Sequence, residues 1–242
     1  MSIRIASLVV LGFPKCGTSA LMRELGGRKG VKTIYAADGT LELIWPAIRD
    51  IETEEFFGEA TVEGVRLILH KYTAYIYSPT AIRHLAQNPD RRFVVCIRDP
   101  AKSLVSWWNM HRKIAQTGRV KDHFSYKESE FYKNCTVEEY YEKTAKRMLD
   151  YGELIQRTIR LVGPDRITFV SQERMSRDIR AVADELIMFG TGLGESVNAA
   201  AGHVSYAERS KVSVDQAILD ELRAVYGEAL VAVSSSGAKT II

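Results

Sequence analysis

One stretch constrains this chain more than any other: an apolar run that breaks at a glycine, crosses a short loop and restarts as a helix. It reads Leu8-Val9-Val10-Leu11-Gly12-Phe13-Pro14-Lys15-Cys16-Gly17-Thr18-Ser19-Ala20-Leu21. Glycines let a backbone come close to an anion, and the N–H groups at a helix start point at it with the helix dipole behind them. The layout is that of a phosphate cradle. The spacing Gly12-x4-Gly17 matches the ordinary nucleotide phosphate loop, which requires Lys and then Ser or Thr directly after the second glycine. Here Thr18 follows Gly17, and the one lysine of the stretch, Lys15, sits inside the loop. The cradle is of a different kind. A tight strand-to-helix turn without a ligand would use the same residues.

The rest of the chain alternates apolar strands with helical patterns. Residues 5–11 are nearly all apolar, as a central parallel strand covered on both faces should be. The helix opened by Gly17 carries Leu21, Met22 and Leu25 and stops at Gly26-Gly27. Val31–Tyr35 is a short strand, Thr40 caps a weak helix interrupted by Pro46, and Ile51–Gly64 is an acidic surface loop. Val65–Tyr77 reads as a strand leaving the core through His70-Lys71. Ser78-Pro79 starts a helix that ends at Asn88-Pro89-Asp90. Phe93–Ile97 is a second buried strand, ending sharply at Arg98-Asp99-Pro100, and the next helix carries Leu104, Trp107, Trp108 and Met110. Residues 118–133 have no clear period and read as a mobile substrate loop, with Lys121, Lys127, Lys133, Phe124, Tyr126 and Tyr132. Thr136 and Glu139 form a capping-box signature for a long helix to Val162. Arg166–Val170 is a strand, Ser176–Phe189 a helix, Ser196–Lys211 a loop and Ser213–Tyr226 a last helix. The tail Ser234-Ser235-Ser236-Gly237 reads as frayed.

Such alternation predicts an α/β fold of the phosphate-loop type: three layers, with a central parallel sheet flanked by helices. The 242 residues suit a single domain over 1–242. In these sheets ligands sit beyond the carboxyl ends of the strands. The loop after Leu11, the pair His70-Lys71, and Arg98 all fall there.

Composition excludes several classes. A formal charge of +3 is too mild for a nucleic-acid partner and suits a modest basic pocket. The three cysteines, Cys16, Cys96 and Cys135, read as reduced thiols. No cysteine or histidine cluster has metal-ligand spacing. The N-terminus has no secretory apolar region, and no run is long enough for a membrane span. A cytoplasmic enzyme is the expectation.

Pro14-Lys15-Cys16-Gly17-Thr18-Ser19 resembles the phosphosulfate loop of the sulfotransferases that use 3′-phosphoadenosine-5′-phosphosulfate (PAPS), usually Pro-Lys-Ser/Cys-Gly-Thr-Thr/Ser. A second motif agrees. Arg98 at a strand exit and Ser106, eight residues on, resemble the 3′-phosphate site of that family, Arg-x7-Ser. A guanidinium fork and a helix hydroxyl suit a phosphate. Lys71 through Trp108 is similar to a segment of the carbohydrate and heparan-type enzymes, with Tyr72 departing from their Ser/Thr. Tyr151–Leu193 resembles their later region.

The resemblance implies in-line transfer of the sulfuryl group of PAPS to an acceptor hydroxyl, leaving 3′-phosphoadenosine-5′-phosphate (PAP), with no metal. Pro14, Lys15, Cys16, Gly17, Thr18, Ser19 and Ala20 would hold the 5′-phosphate end, and Arg98 and Ser106 the 3′-phosphate. Arg209 and Lys211 would add charge there. Lys15 would stabilise the leaving oxygen, and Lys71 would assist at the sulfuryl group. His70, where relatives of the heparan type have Glu, would be the general base, with Glu59 and His111 in reserve. Adjacent strand residues face opposite ways, so His70 and Lys71 share the cleft only if the strand bends or ends there. The acceptor expected from the carbohydrate-type likeness is a sugar or glycolipid hydroxyl. Two alternatives remain at this point: a kinase or NTPase using Mg-ATP, with Asp99 as the metal acid, and a silent protein that binds PAP.

Overall fold

A computed structural model of the chain describes residues 6–34, 64–71, 73–117, 126–192 and 212–241. Strand β1 (Ala6–Gly12) is buried along almost all of its length, which is why its sequence is one apolar run rather than an alternation. It lies inside a sheet with β2 (Val31–Thr33), β3 (Leu67–Lys71), β4 (Arg91–Ile97), β5 (Ile167–Ser171) and β6 (Lys239–Ile241). The order is β2-β3-β1-β4-β5-β6, and every pairing is parallel. The α/β fold expected from the alternating pattern is the one observed.

Paired residues of neighbouring strands share a face. One face carries Leu8 and Leu67 and is covered by α1 (Thr18–Gly26) and α8 (Ile179–Thr191). The α8 helix comes so close that a Cβ on Gly190 would lie 3.1 Å from Leu67 Cδ1 and 3.7 Å from Leu8 Cδ1. On the other face Arg91 Nη1 donates to the Leu85 carbonyl of α2 (Pro79–Ala86) at 3.0 Å. That helix packs against α6 (Tyr151–Val162), which in turn packs on α9 (Gln216–Ser235). Helix–sheet–helix layering results.

Local signals explain where the elements start. Ser78 accepts the Ala81 N–H ahead of Pro79, and Asp99 accepts the N–H groups of Ala101 and Lys102 ahead of Pro100. Those caps open α2 and α3 (Pro100–Gln116). The capping box of Thr136 and Glu139 forms, each residue accepting the other's N–H.

The long helix expected behind that box does not continue. Instead α5 (Val137–Tyr140) passes into a π-helical turn at Tyr141–Ala145, a 3₁₀ turn at Lys146–Met148, and then α6. Tyr140 and Tyr141 are both buried. Adjacent side chains of one regular helix point about 100° apart, and the wider turn lets both find cover. The strand expected over Val65–Tyr77 stops at Lys71, and Thr73–Tyr77 is a 3₁₀ turn. The segment read as a loop over 118–133 holds α4 (Tyr126–Asn134), while residues 118–125 lie outside the described residues. The helix expected from Ser176 is two helices, α7 (Gln172–Arg177) and α8, divided where Asp178 caps the second by accepting the N–H groups of Arg180 and Ala181.

Nor is the tail frayed. Ser234, Ser235 and Ser236 return their hydroxyls to the carbonyls of Leu230, Val231 and Val233, and Gly237 turns at φ 74° into β6. The predicted helix at Thr40, most of the acidic stretch 51–64 and the loop 196–211 lie outside the described residues.

Candidate functional site

The site grows from the junction of β1 and α1. A Cβ on Gly12 would come within 2.9 Å of the Cys96 carbonyl of β4, so a side chain there would force the two strand ends apart. The Phe13 N–H donates to that same carbonyl at 3.4 Å, and the Cys16 N–H donates to the Phe13 carbonyl at 3.3 Å to close the loop. Lys15 sits at its apex with φ 65°, and it is the non-glycine residue with positive φ among the described residues. L-residues resist that conformation by about 1–2 kcal/mol, and strain of this type gathers at functional sites. Gly17 (φ 84°) caps α1 with no side-chain acceptor. The first N–H groups of α1 therefore face the loop without a cap from the chain itself.

Beneath the loop is a buried polar floor. Cys16 Sγ lies 3.7 Å from the Tyr151 hydroxyl and 3.9 Å from Ser103 Oγ, and that hydroxyl donates to Ser103 Oγ at 3.4 Å. The Tyr151 ring stacks on Phe13 with centroids 3.6 Å apart. Burial pushes the Cys16 thiol up to about 12, so it serves as a neutral packing group.

Arg98 leaves β4 and donates from Nη1 to the Lys15 carbonyl at 3.0 Å. Its Nε is buried and has no hydrogen-bond partner among the described residues. A buried guanidinium N–H without an acceptor is costly, and an anion is the group that would satisfy it. Partial desolvation, and then the Arg98 charge, lower the Lys15 pKa from its ordinary value. Lys15 Nζ rests 3.6 Å from Met110 Sδ on α3. Because Ser103 touches Cys16 and Met110 touches Lys15, the α3 stripe Ser103–Ser106–Met110 faces the loop at helical spacing. Ser106 lies within it.

The two residues of β3 separate. Lys71 Nζ donates to Ser19 Oγ at 3.0 Å, at the start of α1. His70 is paired with Val9 and Lys71 with Val10 in a regular strand, so they occupy opposite faces. His70 is 2 % exposed on the Arg91 side of the sheet. Burial, then the Arg91 charge, hold its pKa down at about 3. The structure brings Lys71 to the loop and places His70, the residue expected as base, buried on the opposite face of β3. Ala20 gives its N–H to the Gly17 carbonyl inside α1. Trp108 donates from Nε1 to the Cys135 carbonyl and packs, as does buried Trp107. Glu59, Tyr72, Arg209 and Lys211 lie outside the described residues.

Asp99, which a kinase would need for its metal, instead caps α3. Among the described residues no group of three or more His, Cys, Asp or Glu is placed to hold a metal ion, and no helix is long and apolar enough to cross a membrane.

A family model described as a sulfotransferase domain matches residues 6–223. The chain belongs to the sulfotransferase domain family. One solved structure agrees on the fold. A sulfotransferase from Alicyclobacillus acidocaldarius superposes with a TM-score of 0.62 at 16% identity, over 98% of this chain and 96% of its own. The sulfotransferase domain from the curacin biosynthetic pathway gives 0.46 at 15% identity, over 78% and 74%. Mouse sulfotransferase SULT7A1, complexed with PAP, gives 0.47 at 12% identity, over 94% and 65%. No curated protein matched the sequence.

Several residues of this candidate site were not singled out by the sequence. Tyr151 was legible as a helix residue, but its contact with Cys16 spans 135 positions and has no local signal. Ser103 and Met110 had one, since they flank Ser106 at helical spacing on the helix that Arg98 introduces.

Proposed function

We propose that this sulfotransferase moves the sulfuryl group of PAPS to an acceptor hydroxyl. One observation carries the reading: the Lys15 loop, Lys71 and Arg98 converge at the carboxyl end of the sheet, with an Arg98 Nε that has no partner among the described residues. PAPS is the donor substrate and supplies an activated sulfuryl group on a phosphate oxygen.

The chain's own residues divide the work. The N–H groups at the start of α1, with the Thr18 and Ser19 hydroxyls, hold the 5′-phosphate. Pro14, Cys16 and Gly17 shape that turn. Arg98 and Ser106 hold the 3′-phosphate, and the fork of Arg98 supplies paired charge-assisted hydrogen bonds. Arg209 and Lys211 belong to the same reading as added charge. Lys15 neutralises the oxygen that leaves, and its lowered pKa reflects a partly dry site where such a charge acts more strongly. Lys71, anchored on Ser19, assists at the sulfuryl oxygens. The scheme needs no metal. The acceptor in this reading is a sugar or glycolipid hydroxyl, resting on the likeness of Lys71–Trp108 to the carbohydrate enzymes. One domain over 1–242 is part of it, since β6 near the C-terminus completes the sheet begun at Ala6.

The test is calorimetric titration with PAP, AMP and ATP in EDTA, beside ATP in excess Mg²⁺ without EDTA. Tight binding that needs the 3′-phosphate is expected. A preference for Mg-ATP, or no binding of PAP, would overturn the proposal.

A further inference from the structure

An acceptor hydroxyl must give up a proton, and His70 lies on the wrong face of the sheet to take it. Another imidazole lies on α3, the helix whose Met110 reaches the loop lysine. His111 directly follows Met110, whose sulfur touches Lys15 Nζ. Its ring is held in an aromatic pocket built by three helices. Trp107 of α3 lies 5.4 Å away between centroids, Tyr132 of α4 4.8 Å, and Tyr140 of α5 5.6 Å. His111 Nδ1 is 3.1 Å from the Tyr140 hydroxyl oxygen. Tyr140 is fully buried, and burial raises its phenol above the ordinary range, so it stays neutral. His111 itself is only partly buried.

We infer that His111 is the general base of the transfer and Tyr140 its positioning residue. The inference rests on the sulfotransferase reading of the Lys15 loop. When His111 Nδ1–H donates to the Tyr140 oxygen, the lone pair is left on Nε2, the nitrogen that takes the proton. The acceptor O–H proton passes to Nε2 as the acceptor oxygen bonds to sulfur. The bond from sulfur to the bridging phosphate oxygen breaks, and that oxygen keeps the electron pair, whose charge Lys15 neutralises. The resulting imidazolium keeps its Nδ1–H bond to Tyr140. The oriented base follows the logic of an activated nucleophile with a third group behind it.

The experiment is NMR of the full chain labelled with ¹⁵N-histidine at neutral pH, with His111 assigned by the signal lost in His111→Gln. The expected result is a neutral ring with the proton on Nδ1, and an Nε2 resonance that moves when PAPS is added. Tyr140→Phe should shift the ring toward the Nε2–H tautomer. If Tyr140→Phe fails to fold, the wild-type tautomer and its response to PAPS still decide. An Nε2–H tautomer in the wild type, or an Nε2 signal unmoved by bound PAPS, overturns the role of His111. Calorimetry with PAP on the same samples separates the two levels. Absence of PAP binding in the wild type removes the sulfotransferase reading and His111 with it. A normal PAP affinity with the wrong tautomer removes His111 alone. His111→Gln should keep PAP affinity within about twofold; a tenfold loss would place His111 in donor binding instead.

Discussion

Arg98→Ala is the perturbation that most directly separates a phosphate ligand from a structural prop. In the structure Arg98 makes one hydrogen bond from Nη1 to the Lys15 carbonyl, and its buried Nε has no partner among the described residues. If the fork receives the 3′-phosphate, alanine removes two charge-assisted hydrogen bonds. Such bonds contribute about 1.5–3 kcal/mol each, so two at the low end give about 3 kcal/mol, roughly 150-fold in Kd. The bond to the Lys15 carbonyl is worth about 1 kcal/mol, and its loss loosens the loop for any nucleotide. Titrating PAP and AMP into both proteins divides these effects, because AMP has no 3′-phosphate. PAP affinity should fall by about 150-fold more than AMP affinity. Equal losses for the two nucleotides would refute the reasoning, since Arg98 would then act only through the loop backbone. Arg98→Lys keeps the charge without the fork and should recover only part of the PAP affinity.

Three further outcomes follow from the same geometry. His70 titrates near 6.5 when unfolded and at about 3 when folded, so below pH 6.5 the unfolded chain binds a proton that the folded chain does not. Stability should then fall with pH by about 1.4 kcal/mol per unit down to pH 3. Denaturant titrations at about pH 7 and pH 5 should show His70→Gln losing about 2 kcal/mol less than the wild type; an identical loss would show that His70 is protonated in the fold. Gly17→Ala, at φ 84°, should cost about 1–2 kcal/mol in a urea titration, because the new Cβ meets only side-chain atoms, the flexible end of Met175 at 3.1 Å and Gln172 Cγ at 3.5 Å. A neutral outcome would mean that the turn relaxes. Cys16, buried and held at about 12, should resist iodoacetamide in the native protein and react in urea, as read by peptide mass spectrometry; rapid native alkylation would contradict its place in the floor of the loop.

Most of the sheet was legible because a parallel strand covered on both faces must be apolar throughout. Residues 6–11 and 93–97 are written that way, and both belong to core strands. The capped starts at Ser78, Asp99 and Thr136 were legible for a local reason too, since each cap and its partner lie within three residues. What escaped depends on distant partners. Thr136–Val162 has enough apolar residues for one helix, and it breaks because Tyr140 must meet His111 while Tyr151 must meet Phe13. The three serines of the tail suggest a loose end, but their hydroxyls bond back to helix carbonyls and β6 finds an edge on β5.

The site shows the same division in a single pair of residues. His70 and Lys71 both suit sulfuryl chemistry, and nothing in their order says which one reaches the loop. The choice belongs to strand register, where a slip of one residue exchanges the faces of every side chain. Pairing of Val10 with Lys71 and of Gly12 with Cys96 aligns β3 and β4 on β1. That alignment sends Lys71 to Ser19 and brings Arg98 to the Lys15 carbonyl, across 52 and 83 positions of chain. It also sends His70 toward Arg91, where a proton is costly and a neutral ring packs. The packing on the face that Lys71 shares is apolar, with Leu67 and Leu8 close to Gly190. The cationic arrangement of the candidate site is thus set by contacts on the helix side of the sheet that have no chemistry of their own. Enlarging Gly190, with Leu67 Cδ1 only 3.1 Å from the new Cβ, should therefore weaken PAP binding as well as the fold, although the atoms nearest that Cβ belong to Leu67 and Leu8 and not to the loop.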